Sequence, residues 1–139
     1  MTHNHILRVV SKTLIPLIII FALYVQFHGD FGPGGGFQAG VILSSAIILY
    51  ALVFGFDAAE QIIPPTILRV LASLGVLIYA GVGITTILLG GNYLEYTVLG
   101  STQIAGQHLG ILLVELGVGI TVFTVMLIIF FAFAGRERP

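Results

Sequence analysis

The sequence predicts an all-α integral membrane protein of four transmembrane helices, and two observations carry that prediction. Of 139 residues, 58% are hydrophobic and 8% charged, whereas soluble domains are about a quarter charged; a water-facing surface is hard to build from such a supply. The charges are also bunched. No Lys, Arg, Asp or Glu falls within 13–29, 31–56, 70–94, 96–114 or 116–135, and about 20 apolar helical residues cross the roughly 30 Å of bilayer hydrocarbon. The mean hydropathy of +1.12 agrees. Four crossings use roughly 80 residues, so the chain reads as one membrane domain over 1–139 with little left for a soluble active site. A soluble enzyme, a nucleic-acid binder and a secreted disulfide scaffold are disfavoured together. The chain has no cysteine, hence neither disulfide nor thiolate site, and its net charge of −1 implies no broad electrostatic partner.

The first span runs over approximately 6–27. Its uncharged part after Lys12 is short for a crossing at 1.5 Å per residue, so Arg8 and Lys12 are expected to snorkel to the inner surface. A signal-peptide reading is disfavoured, because Leu23 to His28 are mostly bulky and lack the small-x-small cleavage pattern. The second span, approximately 37–55, follows a glycine-rich break from Gly29 to Gly36. Pro64-Pro65-Thr66 opens the third, approximately 67–89, since paired prolines suit a helix start and not its interior. The fourth lies within approximately 106–134. An even count puts both termini on one side. Arg8, Lys12, Arg69, Arg136 and Arg138 all fall on that side, whereas the connections at 28–37 and 90–106 carry no base, so the termini are expected to be cytoplasmic. The outer side carries Asp30 and Glu95, either drawing cations to an outer mouth or standing as two solvated loop carboxylates.

The most unusual segment is Pro33-Gly34-Gly35-Gly36-Phe37-Gln38-Ala39-Gly40. No Gly-Lys-Ser/Thr follows it and no βαβ pattern surrounds it, so phosphate binding is disfavoured. It reads as a backbone device in which glycines permit positive φ and close helix approach while Pro33 fixes the turn. If it dips into the membrane, protein or water must cover its polar backbone; the alternative is a flexible outer hairpin loop. Small residues recur at close-packing intervals, with Gly36-xxx-Gly40-xxx-Ser44 and Ala51-xxx-Gly55 on span two and Gly106-xxx-Gly110, Gly117 and Gly119 on span four, as tight helix packing in lipid requires.

Glu115 is the only carboxylate in the apolar part of the chain outside the loops, and an ionisable residue inside a membrane is a candidate for proton relay or cation coordination. Counting about 20 residues back from Arg136 puts it at the outer end of span four; a helix starting near Gly106 and tilting puts it deeper, with His108 almost two turns outward on the same face. The candidate ion-path residues are therefore Lys12, Asp30, His108 and Glu115. Lys12 is either a snorkelling base or a charge paired with a carboxylate of another chain. For Arg69 the plain expectation is an inner-surface ion pair with nearby Asp57 or Glu60. His3, His5 and His28 lack metal-ligand spacing, and neither a metal nor a cofactor is expected.

With Lys12-x-x-x-Pro16 in the first span, the segment Phe31-Gly32-Pro33-Gly34-Gly35-Gly36-Phe37-Gln38-Ala39-Gly40-Val41 resembles the MnhB/MrpB family, the B subunits of the Mrp-type (Mnh) multisubunit sodium/proton antiporters. The resemblance covers essentially the whole chain. It implies a noncatalytic, multi-pass subunit in a prokaryotic plasma membrane, partnered by the other Mrp/Mnh subunits in a complex that expels Na+ in exchange for H+. The large subunits of such complexes hold the lysine and glutamate relays; this chain has too few charges to duplicate them, so a structural or path-lining role is implied. Two rivals stand beside it: a self-contained oligomeric exchanger using Glu115, and a pure assembly subunit that touches no ion.

Overall fold

The computed structural model describes residues 5–137; His3 and Arg138, named above, lie outside them. Its long elements are α1 (His5–His28), α2 (Gly36–Phe54), α4 (Pro65–Leu88) and α5 (Gln103–Ala134), with a short α3 (Phe56–Ile62) between α2 and α4. All four long helices are long and apolar enough to cross a membrane. At 1.5 Å per residue, α2 is about 28 Å long and α5 about 48 Å.

The breaks have local causes. Gly35, at φ 116°, closes the glycine segment, and its N–H returns to the Val25 carbonyl at 3.1 Å. Backbone polarity in the break is thus partly answered by the end of α1. Gly55, at φ 105°, stops α2. It was expected to pack as half of Ala51-xxx-Gly55, but a methyl group built there meets nothing within 4 Å; its use is the left-handed turn into α3. Pro65 occupies the first turn of α4, and the Pro64 carbonyl accepts from the N–H groups of Ile67 and Leu68 at 2.9 and 3.2 Å. Thr102 caps α5, its hydroxyl accepting from the Ala105 N–H at 3.2 Å.

In the bundle α5 is central, packed along α2 on one side and α4 on the other, while α1 lies along α2 and barely reaches α5. The ends of α2 and α5, the start of α4, and α3 converge on one cluster of Ala51, Ala59, Leu68, Leu127 and Phe131. Phe56 meets Phe131 there edge-on at 5.1 Å. Arg8 at the start of α1 stands over the Phe54 ring at the end of α2. The start of α1 and the end of α5 therefore share one end of the bundle, the base end; the 29–35 break and the 89–102 connection form the loop end.

Beyond that cluster, small hydroxyl residues are buried while many large apolar side chains face outward. Ser11, Ser44, Thr86 and Thr124 are buried, whereas Ile20, Leu52, Val70, Leu77 and Ile104 are largely exposed. Three of these hydroxyls need no partner helix, because Ser44, Thr86 and Thr124 donate to carbonyls three or four residues back at 2.8 Å. Small residues let the backbones touch, while the large apolar side chains face outward, as packing in lipid favours.

Candidate functional site

The loop end gathers the titratable residues. Asp30, in the turn after α1, pairs with His108 Nδ1 on the first turns of α5. The His108 ring stacks on Phe31 at 6.2 Å between centroids. Seven residues on, Glu115 faces the same pocket, an opening of about 360 Å³ lined also by Gln26 and closed by Phe27, Phe31 and Leu112. Three of the four predicted site residues, Asp30, His108 and Glu115, are therefore together.

Lys12 is not with them. It lies in a different cleft at the base end with Arg8, Tyr50 and Phe54, fourteen residues or about 21 Å of helix below Gln26. The four candidates thus stand at opposite ends of the bundle, Lys12 at one and Asp30, His108 and Glu115 at the other.

Three glycines of the segment, Gly29, Gly35 and Gly36, make room for Glu115. A Cβ built on Gly29 would strike the Glu115 carboxyl group, and one on Gly35 would stand 2.9 Å from Oε1. One on Gly36 would overlap the Glu115 backbone carbonyl oxygen and stand 2.9 Å from the Gly119 nitrogen; at Gly40 it would come 2.7 Å from the Gly119 oxygen. The run lays the α1–α2 connection directly across α5, with the carboxylate beneath it. Gly35 and Gly36 are buried in this crossing, whereas Phe31 and Gly32 are exposed. Pro33, Phe37 and Gln38 are exposed and shape its outer surface, with Gln38 Oε1 3.7 Å from the Cβ position of Gly35.

Gln26 was missed by the sequence reading. The residue is 9% exposed, and its Nε2 is a buried donor with no hydrogen-bond partner, a state that costs about 1–3 kcal/mol unless a water oxygen accepts from it. It borders both the titratable pocket and an apolar cleft of about 180 Å³ reaching along α1, α2 and α5 past Leu43 to Phe123. A lone amide inside an otherwise apolar span was the available signal.

Glu95, the other loop carboxylate, has a structural occupation. Oε2 accepts from the backbone and side-chain nitrogens of Asn92 at 2.7 and 2.9 Å, and Oε1 from the Thr97 hydroxyl at 3.3 Å. These bonds, the Asn92 backbone N–H first, hold its carboxyl below the ordinary range. Its turn leads to Leu94, at φ 61°, whose N–H donates to the buried Thr86 hydroxyl at 3.0 Å. The next residue after Glu95, Tyr96, packs its ring against Gly110, and burial raises its phenol above the usual value. Gly106 and Gly110 therefore receive this connection, not another span.

Sequence comparison supplies the relatives. Residues 6–128 match the family model described as a domain related to the MnhB subunit of the Na+/H+ antiporter. The chain is 30% identical over 131 residues to the Na+/H+ antiporter B subunit of Bacillus subtilis, covering 87% of this chain and 91% of that one. It is 33% identical over 133 residues to a Staphylococcus aureus protein named as antiporter subunit mnhB2, covering 94% of each.

Proposed function

Because the chain belongs to the MnhB family of Na+/H+ antiporter subunits, we propose that its loop-end pocket lines part of the ion route in the assembled antiporter. The chain is a multi-pass subunit of a bacterial plasma membrane antiporter, a transporter component and not an enzyme. The observation that carries the path-lining role is the meeting of Asp30, His108 and Glu115 in one pocket with an unanswered amide, Gln26, at its floor. Such a pocket can hold water or a hydrated cation, and carboxylate and imidazole can exchange protons with it. Among the described residues no comparable series of ionisable groups continues through the bundle, so the other subunits supply the remaining relay. Arg8, Lys12, Arg69 and Arg136 belong to the base end, and by the distribution of positive charge that end faces the cytoplasm. The pocket then opens outward.

The Asp30–His108 pair tests the reading. Its side chains are 21% and 52% exposed, and exposed pairs contribute about 0–1 kcal/mol to stability. Asp30→Asn and His108→Ala should leave the amount of assembled complex unchanged. Sodium-driven proton flux in membrane vesicles should fall about 3- to 10-fold in each, and the double variant should be no worse than the worse single, because paired groups act as one. Full activity in both single variants removes the pair from the route.

A further inference from the structure

We propose that the cleft between α1 and α2 at the base end is a binding site for the phosphate of an anionic phospholipid. Arg8 and Lys12 sit one turn apart on α1 and line a single cleft of about 470 Å³ with Ile15, Pro16, Tyr50 and Phe54. Among the described residues no carboxylate lines it, and neither base has an ion pair. Arg69 differs, sharing its own cleft with Glu60. Two unanswered cations four residues apart on a helix repel each other, and one shared phosphodiester relieves that repulsion.

The walls choose a lipid among phosphate ligands. The Arg8 guanidinium is held 5.6 Å above the Phe54 ring, a cation–π contact that ties it to the seam between the helices and leaves its edge N–H groups for a phosphate oxygen. Ile15 and Pro16 continue the cleft toward mid-span on the same face of α1 as the two bases. An acyl chain has apolar surface to follow from the charged mouth. Tyr50 completes the mouth, at the depth where membrane proteins favour an amphipathic ring.

The test is native mass spectrometry of the assembled antiporter carrying the wild-type chain, Arg8→Gln, Lys12→Gln, the double variant, or the charge-conserving Arg8→Lys. Phosphatidylglycerol, phosphatidylethanolamine and inorganic phosphate are the added probes. The wild type should retain phosphatidylglycerol in preference to phosphatidylethanolamine. The double variant should bind phosphatidylglycerol about 10- to 30-fold more weakly, as two lost surface charges imply, with Arg8→Lys close to wild type. Equal phosphatidylglycerol binding in the double variant overturns the proposal. So does binding of inorganic phosphate without lipid, and so does loss of a partner subunit in place of lipid, which would assign the bases to that partner's carboxylates.

Discussion

Gly36→Ala is expected to remove the subunit from the membrane. Gly36 is buried at the start of α2, and the added methyl group would overlap the Glu115 carbonyl oxygen and lie 2.8 Å from its carbon. Those are backbone atoms of α5, so no rotamer change relieves the clash; α2 must be pried away from the helix that holds the bundle together. Overpacking typically costs about 1–3 kcal/mol, and a contact between backbones belongs at or beyond the upper end. Gly40→Ala should behave alike, against the Gly119 oxygen at 2.7 Å and the Val122 Cβ at 2.9 Å. Gly81→Ala is the control, since its methyl group meets nothing within 4 Å and alanine favours a helix over glycine by about 1 kcal/mol. Quantifying the tagged subunit in membranes checks this; equal amounts of the Gly36 and Gly81 variants would mean that α2 does not seat on α5 as described.

Glu115→Gln should have the opposite character, a subunit assembled in full with sodium/proton exchange reduced at least about tenfold. Glutamine keeps the volume that Gly29 and Gly35 accommodate and removes only the ionisable oxygen. Glu115→Asp withdraws the carboxyl group by one methylene and should retain a measurable part of the activity, which a purely steric role would not predict. The readout is flux per assembled complex in membrane vesicles. Full exchange by the glutamine variant would leave Glu115 as packing beneath the glycine segment.

How much of this was legible in the sequence depends on the range of the cause. Four spans follow from stretches without charge, a property of composition alone. The glycine run announced close approach, but not that Glu115, some eighty residues away, is what it approaches. Asp30 and His108 pair across 78 residues, a separation on which helical periodicity is silent. Helix α3 was hidden because Asp57 and Glu60 mark a connection, whereas its placement depends on the turn at Gly55 and on Phe56 meeting Phe131. Gly55 itself fitted a packing pattern and serves as a stop. Gln26 carries no charge and so passed as part of an apolar span, although it is the one amide of α1; its burial without a partner is what the sequence does not show.

Labelling a single cysteine at Leu112, in the wall of the loop-end pocket, reports on the proposed route most directly. The chain has no native cysteine, so a membrane-impermeant cationic thiol reagent added from outside can be scored against the unmodified complex as background. If the pocket is a hydrated, outward-facing part of the ion route, Leu112→Cys reacts in the assembled complex, sodium slows the reaction, and modification blocks sodium/proton exchange. Complete labelling with exchange undiminished would contradict the account, because an ion route cannot carry a bulky fixed charge in its wall without loss.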